Sequence, residues 1–300
     1  MDSFSISIFV LSNIGLLGNI CATFIIITKK LWKEVRFFIL QNLIIEDTIF
    51  LVITNIQSIW SFSARGPPPK HLRLVVRGVT SALLCLSMML SAMLMLDRLL
   101  SIFLHLRYHS VVTKCKVRMS VAVIWLFGVG CGTASLILQS RQEKLRSIWM
   151  PLLVIPTWCF IFISNISIEK IRQYHMRKIT SNRNHLQGNQ NEKSDQSNGI
   201  LEFFNTTSVI IKQIKIINWA TLLLLTIPCI QSVCQLVGVT VIPSRVVTYS
   251  TLMYVSTNSY VYMLTMYEMK RYIVNLLCKK ITPKRRDSQS TGIDCFSSGV

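Results

Sequence analysis

Asp97 and Arg98 stand side by side where a long apolar run, Val79 to Leu96, comes to its end. A carboxylate and a guanidinium are costly to place in hydrocarbon, so ionisable residues in or beside such a run are functional candidates by default. A helix that ends on this pair can lock to, or release, whatever meets that face. A second acidic site, Glu46-Asp47, lies inside an earlier apolar run, with Asp47 about two to three helical turns from one end. A carboxylate at that depth must pair, bind a cation or take up a proton. Ser87 lies at a comparable depth, ten residues before Asp97, and Asn258 sits in the last apolar run. Hard cations such as sodium want several oxygen ligands, so Asp47, Ser87 and Asn258 form a candidate cation cluster. Glu46 points about 100° away around the helix and is expected to face a neighbouring helix or lipid headgroups.

The elements that position these residues follow from composition. Half of the 300 residues are hydrophobic, 15% are charged, and the mean hydropathy is +0.47. Soluble domains carry about 25% charged residues. Seven runs, at 5–28, 37–61, 75–103, 118–139, 148–169, 212–238 and 247–266, are apolar and long enough to cross ~30 Å of hydrocarbon as helices. They are continuous rather than alternating, which argues against a transmembrane β-barrel. The expected fold is all-α: a seven-transmembrane helix bundle. The first run has no basic flank before it and no small-residue cleavage site, so it reads as a membrane helix and not as a leader.

Basic residues set the orientation. With the N-terminus outside, 24 of the 32 Lys and Arg residues fall on the cytosolic side, which predicts N-terminus extracellular and C-terminus cytoplasmic in the plasma membrane. The net charge of +19 needs no nucleic acid as a partner, because inner loops facing an anionic lipid bilayer account for it. Residues 1–4 form a short outer N-terminus and 5–266 the bundle. The third inner loop, about 170–211, has a centre rich in Asn, Gln, Ser and Lys that reads as disordered. In the 267–300 tail, Glu268 to Leu277 alternates charge with apolar residues at helical spacing. That pattern suits a short amphipathic helix on the inner leaflet, ending at Cys278, a candidate palmitoylation site. None of the nine cysteines falls in an outer loop, so no structural disulfide is expected.

Further polar residues punctuate the runs. Gly18-Asn19 in the first suits close helix approach with an amide reaching across the interface. Trp125 in the fourth is most simply a packing residue, and Pro228 in the sixth must kink its helix. In this order the residues resemble the rhodopsin-like (class A) G-protein-coupled receptors. The resemblance rests on Gly18-Asn19, on Asn42-Leu43 with Asp47 four residues after Leu43, and on Asp97-Arg98-Leu99 with Leu106-Arg107-Tyr108 downstream. Trp125, Pro228 and Asn258-Ser259-Tyr260-Val261-Tyr262 complete it. The departures are specific: Leu99 stands for the usual tyrosine, Ser259 for the helix-seven proline, and Thr226 for the helix-six tryptophan. The cysteines of the outer bridge are missing, and no acid stands at the base of helix six, where Ser208 and Val209 lie, which leaves Asp97 as the partner for Arg98.

The resemblance implies a cell-surface receptor that couples a small extracellular ligand to a heterotrimeric G protein, by an outward swing of the inner half of span six about Pro228. Asp97, Arg98, Asn258 and Tyr262 would carry activation and coupling, and Asp47, Ser87 and Asn258 a bound sodium ion. No other cofactor is implied; the last run has no lysine to hold retinal, and no aspartate precedes Thr80 and Ser81 in the third to hold an amine. Arg77, Thr80 and Ser81 are candidate ligand-facing residues, and eight outer basic residues against Asp2 and Glu143 would attract an anionic ligand. A small transporter or channel is the competing reading, favoured by an inverted repeat that the chain lacks. A receptor fold that no longer signals is a third. An enzyme is not expected, since all five histidines lie outside the runs and no nucleophile or metal motif is present.

Overall fold

The computed structural model describes residues 3–63, 69–104, 107–141, 154–171 and 243–281, with isolated helical positions within 173–177 and 219–234. The described chain is helical almost throughout: α1 Ser3–Thr28, α2 Val35–Phe62, α3 Lys70–Leu104, a single turn α4 Tyr108–Val111, α5 Lys114–Arg141, α6 Val154–Ile171, α7 Ser244–Thr265 and α8 Tyr267–Ile281. A left-handed Lys30 (φ 54°) stops α1 and a 3-10 turn, Leu31–Lys33, leads into α2. Five helices, α1, α2, α3, α5 and α6, are long and apolar enough to cross a membrane. α3 is the longest at 35 residues, about 50 Å at ~1.5 Å per residue. The helices overrun the apolar runs by up to five residues, because hydropathy marks the hydrocarbon slab while the hydrogen-bond ladder continues into the polar ends. α6 is described from Val154 to Ile171, within and just past the fifth run.

The helices are inside-out relative to a soluble bundle. Along α1 the inward residues include Ser12, Gly15, Gly18, Asn19 and Ala22, whereas Leu17, Ile20, Phe24 and Ile27 form an exposed stripe. α5 repeats the pattern, with Met119, Val123, Leu126 and Val129 outward. Contiguous apolar stripes of this length are a lipid-facing surface. Small inward residues let the helix backbones approach, as where Gly132 of α5 meets Ala82 of α3.

Contacts fix the directions. Ser12 meets Asn55 and Gly15 meets Leu51, so α1 and α2 are antiparallel; Asp47 meets Ser87 while Thr54 and Ser58 share a cavity with Arg77 and Thr80, so α3 runs against α2. α5 opposes α3, with Gly128 at Leu86 and Gly78 at Leu136. α7 runs parallel to α1: Tyr249 meets Phe4, Ser256 meets Leu11 and Tyr260 meets Ile14.

Candidate functional site

The sequence places Asp47 in the middle of α2, and packing turns it into the seam with α3 and α7. The Ser87 hydroxyl donates to Asp47 Oδ1 at 3.4 Å, and Asn258 Nδ2 donates to Asp47 Oδ2 at 3.2 Å; all three residues are buried. One carboxylate therefore ties three helices, which is how a buried charge is kept at tolerable cost. Of the two places expected for Glu46, the structure gives the one against neighbouring helices. It is fully buried close to Asp47 and Ser87, and among the described residues neither of its carboxyl oxygens makes a hydrogen bond of good geometry. α2 packs against α1, α3, α5 and α7, so a 100° rotation about its axis still leads inward. The oxygens here are two carboxyls and a hydroxyl, with Asn258 presenting its amide nitrogen to Asp47; an amide flip would add its oxygen to a set that could hold a hard monovalent or divalent cation. Among the described residues no group of three His, Cys, Asp or Glu side chains forms, so the set does not resemble a transition-metal site.

Two further predicted packing residues bridge helices. Trp125 Nε1 of α5 donates to Asn42 Oδ1 of α2 at 3.1 Å. Asn19 Oδ1 of α1 accepts from the hydroxyl of Ser259 of α7, the residue that stands in place of the proline. With serine there, α7 continues unbroken from Ser244 to Thr265, and the hydroxyl serves as an interhelical bond. Sequence reasoning missed the Ser91–Tyr254 hydrogen bond of 2.6 Å between α3 and α7, and the 2.5 Å bond from Ser12 to Asn55.

Asp97 and Arg98 lie at the opposite end of α3 from Arg77. Asp97 is buried and accepts the phenolic hydrogen of Tyr108 from α4, a partner the sequence reading did not assign. Burial pushes the Tyr108 phenol well above its ordinary range, and the Asp97 carboxylate pushes it further, so it remains a donor across physiological pH. This corrects the expectation that Asp97 pairs with Arg98. The ion pairs within 4 Å among the described residues are both made by Arg36 instead, with Glu34 at 2.9 Å and with Glu268 of α8 at 2.6 Å. Adjacent residues on a helix diverge by about 100°, which lets Asp97 turn to the α4 turn while Arg98 faces the bundle. There Arg98 is within electrostatic range of Tyr262, Asp97, Arg36 and Glu268. Tyr262 is buried on α7. α8 is tied back onto this end by Arg36–Glu268 and by Lys29 Nζ, 4.8 Å from the centre of the Tyr272 ring.

At the other end, Arg77, Thr80 and Ser81 all line one cavity of about 490 Å³ between α1, α2, α3 and α7. Pro228, the third-loop centre and residues 282–300 lie outside the described residues, as does the side chain of Cys278, whose backbone closes α8.

The family described as 7 transmembrane receptor (rhodopsin family) matches residues 18–181, just over half of the chain. The matched stretch contains Asn19, Asp47, Ser87, Asp97, Arg98, Tyr108 and Trp125.

Proposed function

The chain belongs to the rhodopsin family of seven-transmembrane receptors, and from that premise we propose that it is a plasma-membrane receptor coupling a small extracellular ligand to a heterotrimeric G protein. The observation that carries this reading is the end of α3. Asp97 is engaged by Tyr108 and leaves Arg98 turned toward Tyr262, so a charged group is held at the bundle face with no ion-pair partner within 4 Å among the described residues. Such a group is available to a partner that docks there.

Helix direction supports an odd number of crossings, and the distribution of Lys and Arg supports the N-terminus outside. α5 ends on the side where α7 begins, so an even number of passes lies between them; α6 is one, and the sequence of 212–238 is apolar enough for another. The family's receptor character supports a non-enzymatic reading.

As mechanism, an outer ligand favours the state in which the inner half of span six swings out about Pro228, and it acts only through its preference for that state. Arg98, Tyr262 and the basic flanks of the third inner loop then form the groove for the G protein. Asp47, Ser87 and Asn258 would hold a sodium ion that biases the closed state, with Glu46 supplying a further carboxyl. α8 lies on the inner leaflet, with Cys278 placed for acylation. No retinal is required.

The test is constitutive G-protein activation in cells at matched surface expression. Wild type is expected to signal above empty cells, and Arg98→Ala to lose that signal. Equal signals from the two would remove Arg98 from coupling.

A further inference from the structure

The cavity at the Arg77 end has a lining whose chemistry selects a ligand. Its volume of about 490 Å³ lies within the ~300–1,000 Å³ usual for small-molecule sites. Four helices meet there, and among the described residues none of the lining comes from α5 or α6. Ile8, Phe50, Leu84 and Leu252 provide an apolar body, and Phe4 closes one wall. Among the described residues Arg77 is the one charged side chain in the lining. A second guanidinium, that of Arg245 on α7, stands 5.2 Å over the Phe4 ring, and Phe4 packs edge-on to Tyr249 at 5.1 Å. Arg77 thus brings positive charge into the cavity while Arg245 lies against one of its lining rings, and a guanidinium fork is matched by a planar carboxylate.

The hydroxyls add a second requirement. Thr54 donates to Phe50 O at 2.9 Å, Ser58 to Thr54 O at 3.0 Å, Thr80 to Val76 O at 2.9 Å and Thr251 to Val247 O at 3.0 Å. Each hydroxyl has one hydrogen, and here it is committed to the preceding turn of its own helix. What these four side chains offer the cavity is therefore lone pairs, and the Gln57 amide adds one more acceptor beside its own donor. A cavity that is cationic at Arg77 and presents these acceptors on an apolar wall rewards an acid that also carries an N–H or O–H donor.

We propose that the cavity between α1, α2, α3 and α7 is a binding site for a small aromatic or aliphatic carboxylate bearing a separate hydrogen-bond donor. Its carboxylate meets Arg77, its body lies against Phe4, Phe50 and Leu84, and its donor reaches the threonine and serine oxygens. The proposal rests on the receptor reading for the side of the membrane from which the ligand comes. It moves the binding site to the α1–α2 side of the bundle, away from the region between spans three, five, six and seven.

The experiment is equilibrium binding to the full chain in nanodiscs, with three probes: indole-3-acetate, its primary amide (which removes the charge) and its 1-methyl derivative (which removes the donor). Indole-3-acetate is expected to bind saturably, the amide at least about tenfold and the methyl derivative about fivefold more weakly. Arg77→Gln, which removes the charge and keeps hydrogen-bonding capacity at an exposed position, should erase the preference for acid over amide. Leu84→Trp and Thr251→Trp, two separate fillings of the cavity, should abolish binding of all three. No saturable binding of the acid to wild type up to millimolar concentration, equal binding of acid and amide, or acid binding that survives all three substitutions would overturn the site. Nucleotide exchange on purified G protein is read in the same preparation. Exchange without acid binding overturns the cavity alone, whereas acid binding without exchange overturns the coupling function alone.

Discussion

The cluster around Asp47 and the cavity around Arg77 are built from the same helices, α2, α3 and α7, and have opposite economies. In the cluster, polar groups are buried and bonded between helices, so each fixes the position of another. In the cavity, the hydroxyls of Thr54, Thr80 and Thr251 are bonded within their own helices. Polar residues of the first kind hold the bundle together, and those of the second kind are free to discriminate among ligands. The difference lies in whether the partner is on another helix, not in residue type.

The comparison can be broken most forcefully at the two adjacent acids. Asp47→Leu strands the Ser87 and Asn258 donors and should cost on the order of 2–4 kcal/mol. Glu46→Leu, which removes a buried carboxyl without partners, should cost nothing or stabilise by about 1 kcal/mol. Thermal unfolding in nanodiscs separates them, and a loss of equal size for both would mean that Glu46 is bonded as well. Next is Gly15→Val on the same seam. Its first added carbon would lie 2.9 Å from the backbone of Ser256 and 2.7 Å from that residue's hydroxyl, so the overpacking should cost about 1–3 kcal/mol in the same assay. At the cavity, Thr80→Val removes only an intrahelical bond, and its unfolding midpoint should match wild type within about 0.5 kcal/mol. A loss as large as that of Gly15→Val would show that the cavity is also a structural seam.

Much of this was legible in the chain. The helices are, because a run of 20 apolar residues has few other ways to satisfy its backbone in lipid. The Asp47, Ser87 and Asn258 grouping is too, because three polar residues at similar depth must find each other where no water is available. The rotation of each helix about its axis is not. α1 carries polar residues on its exposed side as well, Ser7 and Asn13, so its pattern does not say that Asn19 meets Ser259 or that Ser12 meets Asn55. The same freedom hid Glu46, whose neighbours depend on how many helices surround α2. Tyr108 was read as part of a basic, aromatic stretch after α3, and nothing in the spacing of 97 and 108 announces that α4 folds back onto Asp97. Arg36 and Glu268 are 232 residues apart and both partly exposed, 42% and 34%, so their pairing follows from the docking of α8 and contributes at most about 1 kcal/mol.

The central claim is that the Asp97 end of α3 is held by Tyr108 and used by Arg98. The most direct measurement is nucleotide exchange catalysed on purified heterotrimeric G proteins by the full chain in nanodiscs, for wild type and Tyr108→Phe. Removing the phenolic hydroxyl frees Asp97 while leaving Arg98 in place, and a lost hydrogen bond of about 1–2 kcal/mol corresponds to a basal rate raised about five- to twentyfold wherever that bond is made only in the closed state. Basal exchange by Tyr108→Phe at or below the wild-type rate, with both proteins equally stable, would contradict the account.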